Sequence, residues 1–541
     1  MNFIKKEITN NLRWIIFAWM WLICFAVGHA LVKHNSIQYL IDRLAMTLLG
    51  FVIILLLGII LGILMGHFFG FAERKLENSK PQWSFLAQKK TFFIIWALIF
   101  ISWIPCLLAF WPGNQAYDID MQDIMSKWHP PLHTFIWYVC LFICSITKID
   151  AALIYSIFQM IVLSFCFTYV LKYLIDKKIN NIIIIITFLF FSVNPVMAIF
   201  SVTTTKDVLF AGVFVVTTVE ALKAITNPEK FWEKKYKIVI LIALITICCL
   251  LRNNAIYALI LSVPFTIFGM RKYWKRVCIV LLTSILCFYI INNPIYHCIG
   301  IKDGPTSEMM SIPMQQISRT VVNRDQELTS KDKKTINYFV PYKKIKEWYK
   351  KDSADLVKWN INKDRFDNNK GLYFKEWGSL LRRYPVDYMD AFLHTNISQW
   401  CPFFPYNNHI KKNYISVTRI ANPKMVYYGG YVYKRHCKFK GAYNFYKEFG
   451  LYNYCKNNIV LDSIFSMSTP IWFLLLCILS LMKKGKRKLI ICLLPHFFLW
   501  MTHMAGPLSN FRYLLPLFAS YPIYLVLILQ PTNILKKEDK E

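Results

Sequence analysis

Long apolar segments alternate with short polar connections along most of the chain. An α-helix needs about 20 mainly apolar residues to cross the hydrocarbon core of a bilayer, and twelve segments are close to that length. A further apolar segment, 132–147, would form a helix only about 24 Å long, which is too short to cross. The pattern therefore predicts an all-α polytopic membrane protein with about twelve transmembrane helices. The twelve segments are approximately residues 14–32, 44–71, 91–111, 151–173, 181–201, 207–225, 236–252, 254–270, 276–296, 461–482, 488–505 and 511–530.

The basic residues of the short connections predict the orientation of these helices, because Lys and Arg accumulate on the cytoplasmic side. If the first helix starts in the cytoplasm, residues 112–131 lie outside after three crossings. The basic connection 172–178 then returns to the cytoplasm only if 132–147 does not cross. We therefore expect a multi-pass protein of the cell membrane, with an interfacial helix at 132–147 on the outer face and both termini in the cytoplasm.

One long polar region interrupts the apolar pattern and defines the expected domains. Residues 297–460 are Lys-rich and aromatic, with apolar positions spaced as in short helices, and they lie outside in this topology. We expect them to form a large extracytoplasmic loop domain. An N-terminal transmembrane module, 1–296, precedes it and carries the acidic outer loop 112–131. The C-terminal transmembrane helices and a cytoplasmic tail, 461–541, follow it.

The composition excludes a soluble protein and argues against nucleic acid as a partner. Hydrophobic residues make up 56% of the 541 residues and charged residues only 17%, unlike a typical soluble domain. The net charge of +32 would suggest nucleic-acid binding in a soluble domain. Here the Lys and Arg residues flank membrane helices, where they contact anionic membrane lipids. The 15 cysteines show no metal-ligand spacing, and a disulfide among four of them stays open: Cys298, Cys401, Cys437 and Cys455.

The outer loop 112–131 concentrates ionisable side chains beside the membrane. Asp118 and Asp120 lie in the loop, His129 near its end and His133 just after it. Ionisable groups at this depth are costly to desolvate and commonly mark a functional site. Alternatively, Asp120 is a solvated loop carboxylate. The two histidines are four residues apart and would share a helix face, although a His pair without further ligands is weak evidence for a metal.

Three further polar features fall on the same outer face. Lys206 and Asp207 stand at the outer start of a helix, and Arg252 stands between two helices. Taken alone, Asp207 could be a helix cap and Arg252 could extend to lipid head groups. The third feature is a motif early in the loop domain that contains Gln315, Gln316 and Arg319.

Together these residues favour a site for a phosphorylated lipid. Lys206, Arg252 and Arg319 supply the cationic groups that bind phosphate or pyrophosphate. A carboxylate can accept the proton of an acceptor hydroxyl as a sugar leaves its phosphate. A divalent metal, Mg²⁺ or Mn²⁺, between Asp118 and Asp207 would neutralise charge on the leaving group, since carboxylate-rich sites favour these ions.

At these residues the chain resembles the C-type superfamily of integral-membrane glycosyltransferases, which use polyprenyl-phosphate sugars. Asp118, the element His129-Pro130-Pro131-Leu132 and Asp207 follow in the order of that family's first acid, basic-Pro-Pro-Leu element and second acid. The resemblance implies that Asp118 is the catalytic base and Asp207 a metal-site or acceptor-site acid. It also implies that His129 and Lys206 lie on the phosphate side. We expect five further residues to bind substrate: His133, Arg252, Gln315, Gln316 and Arg319.

The resemblance covers roughly residues 91–420, and the chain departs from the family pattern in two ways. The first acids are Asp118-Ile119-Asp120 rather than adjacent, so either Asp118 or Asp120 can be the base. Two additional helices, within 14–71, precede the usual first helix of the superfamily.

The leading hypothesis is an inverting glycosyltransferase that moves a sugar from a polyprenyl phosphate to a glycan, glycolipid or protein of the cell envelope. A lipid-linked glycan flippase or transporter is one alternative, although the interrupted helices in matching halves that mark many transporters are not evident. A polysaccharide polymerase or ligase is a second alternative, and a membrane scaffold is a third.

Overall fold

The computed structural model describes residues 2–77, 82–116, 119, 122–304, 306–403, 427, 430–455 and 458–535. Its regular structure is almost entirely α-helical, as predicted. The helices of the first part are α1 (Asn2–His34), α2 (Gln38–Asp42), α3 (Leu44–Glu77), α4 (Lys89–Ser102), α5 (Ile104–Ala109), α6 (Pro131–Thr147), α7 (Ala151–Asp176), α8 (Asn181–Ser192), α9 (Pro195–Ser201), α10 (Lys206–Thr226), α11 (Pro228–Glu233), α12 (Lys235–Leu251), α13 (Ala255–Gly269), α14 (Trp274–Ile290) and α15 (Tyr296–Cys298).

The remaining helices divide into a C-terminal group and a group that the sequence predicts to lie outside the membrane, which we call the outer group. The outer group comprises α16 (Ser311–Arg324), α17 (Ser330–Phe339), α18 (Tyr342–Trp348), α19 (Asp355–Trp359), α20 (Lys363–Asn368), α21 (Lys370–Arg383), α22 (Pro385–Thr395), α23 (Ile397–Trp400) and α24 (Lys440–Gly450). The C-terminal group comprises α25 (Ile459–Phe465), α26 (Thr469–Lys483), α27 (Leu494–Met504), α28 (Phe511–Ala519), α29 (Tyr521–Leu529) and α30 (Pro531–Leu535). The two described strands are β1 (Asn114–Gln115) and β2 (Thr203–Thr204).

Several helices are long and apolar enough to cross a membrane, so the chain is a multi-pass membrane protein. Within the described ranges there are six such spans, or up to nine if three bent helix pairs each count as one. The six are Phe3–His34, Ala45–Leu76, Lys89–Ala109, Ala151–Asp176, Lys206–Thr226 and Arg271–Cys298. The bent pairs are α8 with α9, α25 with α26, and α28 with α29.

The difference from the twelve predicted spans arises from helix length. The predicted segments 236–252 and 254–270 form α12 and α13, which have only 17 and 15 residues, and the predicted segment 488–505 contains α27, which has only 11. The short segment 132–147 forms α6 as one helix of 17 residues that starts at a proline pair. Proline suits the first turn of a helix, because the amide hydrogen it lacks has no partner there anyway.

The first and third helices form a close antiparallel hairpin. A side chain at Gly62 of α3 would place its Cβ 2.5 Å from the backbone of Ile15 in α1, so only glycine fits there. Nearby, Gly66 packs in the same way against the side chain of Asn11. This glycine face lets the two long helices pack backbone to backbone.

Helices α16 to α22 have an apolar core of their own. Side chains of α16, α17, α21 and α22 pack together, including Met314, Val321, Phe339, Leu380 and Tyr388. The larger core, built mostly from the apolar helices of the first and C-terminal groups, is a separate cluster. We refer to the described residues 306–403 as the outer domain, after the side of the membrane predicted for them.

A two-stranded parallel ladder links the loop after α5 to the start of α10. Asn114 pairs with Thr203, and Gln115 pairs with Thr204. In α7, Nε2 of the buried Gln159 lies 2.9 to 3.0 Å from three backbone carbonyl oxygens at the end of α9 and in β2, which share its two N–H donors. These bonds hold the chain in place immediately before Lys206 and Asp207.

Candidate functional site

Asp207 is fully buried in the first turn of α10, between two arginines. Its carboxylate forms an ion pair with Arg252, the residue that ends α12. On the other side, Nε of Arg512 in α28 lies 3.6 Å from Oδ2, and Thr205 donates a hydrogen bond to Oδ2 at 3.2 Å. Buried charges are retained in proteins when they are paired in this way, so Asp207 is more than a helix cap.

Tyr513 completes this group, which we call the Asp207 cluster (Asp207, Arg252, Arg512 and Tyr513). The guanidinium carbons of Arg252 and Arg512 lie 4.8 and 5.1 Å from the centre of its ring. Aromatic faces attract cations at this range. The ring of His503 in α27, which is 1% exposed, lies 5.8 Å from the same ring. The cluster thus joins α10, α12 and α28, with α27 beside it.

Sequence reasoning did not identify Arg512, Tyr513 or His503. Arg512 lies within the apolar segment 511–530, and a cation inside such a segment was the available signal. His503, an ionisable residue within the predicted segment 488–505, carried the same signal. Tyr513 did not, because aromatic residues are common in membrane helices.

A second contact connects the outer loop 112–131 to the start of α10. Nζ of Lys206 lies 3.0 Å from Nδ1 of His129. His129 is buried, and Lys206 is partly exposed. The structure thus brings together four of the predicted residues: His129, Lys206, Asp207 and Arg252. Asp118 and Asp120 lie outside the described residues, so their roles stay predictions.

His133 does not join His129. It is fully buried in the first turn of α6, where Nε2 lies 2.8 Å from the hydroxyl of Tyr155 and Nδ1 lies 3.1 Å from Oε1 of Gln122. His129 precedes α6 and turns toward Lys206, so the two histidines do not share a helix face. The interactions of His133 fasten the end of the loop to α7.

The described residues contain no group of three or more His, Cys, Asp and Glu side chains placed to hold a metal. Asp207 is paired with two guanidinium groups, whose positive charges disfavour a divalent cation at the same carboxylate. The predicted Mg²⁺ or Mn²⁺ between Asp118 and Asp207 stays a prediction, since Asp118 is outside the described residues.

The motif with Gln315, Gln316 and Arg319 lies in α16 of the outer domain and does not reach the Asp207 cluster through any contact in the described ranges. Arg319, 1% exposed, forms an ion pair with Asp390 at 3.0 Å and donates a hydrogen bond to the carbonyl of Asn35. Gln315 donates to a backbone carbonyl, and Gln316 donates to another and accepts from Trp377. Each of these three side chains is therefore held by other groups of the outer domain or by Asn35, and none of them bonds to another.

An apolar groove runs from the neighbourhood of the Asp207 cluster into the membrane helices. It lies between α10, α12, α13, α14 and α27. Cys248, Cys249 and Ala255 line it, on either side of Arg252 in the sequence. The hydroxyls of Thr217, Ser262 and Thr266, which also line it, donate to backbone carbonyls of their own helices. The groove therefore presents an almost purely hydrocarbon surface.

Comparison with known proteins identifies a family. Residues 124–540 match the family of unknown function DUF6020, which is more than half of the chain. The chain belongs to this family. No curated protein and no solved structure matches the chain. The matched range contains these cluster and loop residues of DUF6020: His129, Lys206, Asp207, Arg252, His503, Arg512 and Tyr513.

Proposed function

We propose that this protein is an inverting membrane glycosyltransferase. It would transfer a sugar from a polyprenyl phosphate to an acceptor of the cell envelope, on the outer face of the cell membrane. The observation that carries the proposal is the Asp207 cluster at one end of an apolar groove. A cationic site joined to a hydrocarbon groove suits an amphiphile with a phosphate head and a long apolar tail.

The proposed reaction uses the cationic side chains to stabilise the leaving phosphate. Arg252 and Arg512 offer planar sets of N–H donors that match phosphate oxygens, and Lys206 adds a further cation. When the bond from the anomeric carbon to the phosphate oxygen breaks, both electrons pass to that oxygen. Preorganised donors around it lower the barrier most, because the charge develops there.

The acceptor hydroxyl would attack the anomeric carbon on the face opposite to the phosphate, which inverts its configuration. A carboxylate takes the proton of that hydroxyl. We propose Asp118 for this role, on its position in the outer loop, with Asp120 as the other candidate. Asp207 would hold Arg252 and Arg512 in place rather than act as the base, since both guanidinium groups already pair with it.

The proposed topology has twelve membrane spans, the loop domain 297–460 outside and both termini in the cytoplasm. The basic connections support it. A cysteine at position 149, where Ile149 is exposed between α6 and α7, should react with a membrane-impermeant thiol reagent in intact cells, in a background without the native cysteines. Reaction only after permeabilisation would refute the proposed position of α6.

The decisive assay measures release of polyprenyl phosphate from polyprenyl-phosphate sugars by the purified full-length protein in lipid nanodiscs. Asp118→Asn should lower the rate at least about 100-fold, as expected for loss of a general base. Asp123→Asn is a matched control, because Asp123 is an exposed carboxylate in the same loop. Turnover by Asp118→Asn and Asp120→Asn at the wild-type rate would contradict the proposal.

The apolar groove also favours one alternative, a transporter of lipid-linked glycans. A transporter would bind the same lipid, would release no polyprenyl phosphate, and would tolerate Asp118→Asn. Movement of a fluorescent lipid-linked sugar across vesicle membranes, without its cleavage, would establish the transporter instead of the enzyme.

A further inference from the structure

The short ladder of β1 and β2 presents two side-chain pairs on opposite faces. Successive side chains of a strand point to opposite sides. Asn114 and Thr203, which are register partners, therefore share one face, and Gln115 and Thr204 share the other. All four residues are at most 2% exposed.

The first face is fully engaged in the structure. Nδ2 of Asn114 donates to Oγ1 of Thr203 at 3.2 Å, and that hydroxyl donates to the carbonyl of Ile199 at 2.7 Å. Arg435 donates to Oδ1 of Asn114 at 3.4 Å. This pair holds the ladder together.

The second face is different. Neither Oε1 nor Nε2 of Gln115 has a hydrogen-bond partner in the described part of the chain, and neither does Oγ1 of Thr204. Gln115 is 0% exposed and Thr204 1% exposed, so bulk water does not reach them. Buried polar atoms without partners are rare and costly in native proteins, and each calls for an explanation.

The position of this pair connects it to the Asp207 cluster. Thr204 stands two residues before Lys206 and three before Asp207. Gln115 is on the strand that leads into the acidic outer loop. The pair therefore lies where the two chain segments of the proposed site meet.

We infer that Gln115 and Thr204 bind hydroxyl groups of the sugar carried by the lipid donor. The phosphate of such a donor is ionised and can only accept hydrogen bonds, so it would leave Oε1 of Gln115, which is also an acceptor, without a partner. A sugar hydroxyl both donates and accepts, and neighbouring hydroxyls suit a carboxamide, which has one acceptor beside its donors. The identity of the donor as a lipid-linked sugar rests on the proposed function.

Two nearly isosteric substitutions, Gln115→Met and Thr204→Val, test the inference. Each removes the hydrogen-bonding atoms while keeping the approximate volume of the side chain. If the pair only fills space, stability should stay the same or rise, because buried polar atoms without partners are lost. Thr203→Val is the matched control on the opposite face, where a structural hydrogen bond is lost instead.

The assay measures the binding of two kinds of lipid to the full-length protein in nanodiscs. The first is a bare polyprenyl phosphate, and the second is the same lipid carrying glucose, galactose, mannose or arabinose in turn. For the sugar that the wild type binds best, each test variant should weaken binding at least tenfold, with binding of the bare lipid phosphate unchanged. A site built to bind a hydroxyl discriminates strongly in this way. Thr203→Val should lower the thermal stability and leave the ratio of the two affinities unchanged.

The outcomes separate this inference from the proposed function. The inference is overturned if the wild type binds the bare lipid phosphate and both test variants keep its ratio of affinities for the sugar-bearing and the bare lipid. Gln115 and Thr204 would then hold at most a buried water. If the wild type binds neither lipid, the proposed function fails, and the inference fails with it. Should Gln115→Met not fold, Thr204→Val decides, since it exchanges one hydroxyl for a methyl group.

Discussion

Replacing Asp207 by asparagine should destabilise the protein far more than the loss of a surface charge would. Asp207 is 0% exposed, and Arg252 and Arg512 are each 6% exposed. Asparagine keeps the size of the side chain and can still accept the hydrogen bond from Thr205, so the change removes mainly the charge. Two buried guanidinium groups then lose the carboxylate between them.

The expected magnitude follows from this burial. Removing one partner of a buried ion pair costs about 3–5 kcal/mol, because the other charge stays buried without compensation. We expect a loss in that range for Asp207→Asn in the free energy of unfolding, measured by SDS titration in mixed micelles. The control is Asp176→Asn, which breaks an exposed pair with Lys172 and should cost less than about 1 kcal/mol.

A second variant and a ligand make the test specific. In the presence of Asp207→Asn, a further Arg512→Gln should cost less than Arg512→Gln does in the wild type, because neighbours that share an interaction are not additive. A bound polyprenyl phosphate should stabilise Asp207→Asn more than the wild type, since its anion replaces the lost charge. If Asp207→Asn costs no more than Asp176→Asn, the buried carboxylate is not the centre of the cluster.

Three further predictions concern other parts of the molecule. Burial, together with nearby cations, lowers the pKa of His394 to about 3, so the folded state resists protonation of this residue. The stability of the protein should therefore fall as the pH drops below about 6.5, the usual pKa of histidine in an unfolded chain. Thermal unfolding of His394→Gln, measured over a range of pH, should show a weaker dependence on pH. Gly62→Leu should disrupt the contact of α1 with α3 and lower the thermal stability, whereas Gly50→Leu, in open space, should not. Ser262→Trp should fill the apolar groove. In nanodisc competition assays it should therefore weaken the binding of long polyprenyl phosphates more than that of short ones. Leu261→Trp, on the exposed side of α13, is the control.

The helical, membrane-spanning character of the chain follows directly from its apolar pattern, because backbone groups in a bilayer must bond within their own helix. The same pattern located α6 almost to the residue. The apolar pattern predicted less well where each helix begins and ends. The segment 461–482 is one apolar run in the sequence, yet it divides into α25 and α26 with a bend of 76°, since Ser466 to Ser468 and Pro470 permit a break that hydropathy does not register.

The candidate site was predictable where chemistry is local and unpredictable where it depends on long-range packing. Lys206 and Asp207 are adjacent, and an acid at the start of an apolar helix is visible in the sequence. Arg512 reaches Asp207 from about 300 residues later in the chain, and no local pattern links them. Conversely, Arg319 is a residue type that binds phosphate, and it was predicted on the same side of the membrane as the site. In the structure, however, its ion pair with Asp390 holds it inside the outer domain.

That use of Arg319 also bears on the N-terminal hairpin, which precedes the range matched by the family. The carbonyl of Asn35 at the end of α1 accepts a hydrogen bond from Arg319 and lies 3.3 Å from Nε2 of His394. The amide of Ile37 donates to Oδ1 of Asp390 at 2.9 Å. The backbone between α1 and α2 therefore satisfies polar atoms of a buried ion pair in the outer domain. Because a buried pair needs such additional hydrogen bonds to offset its desolvation, the hairpin is a structural part of the outer domain's attachment.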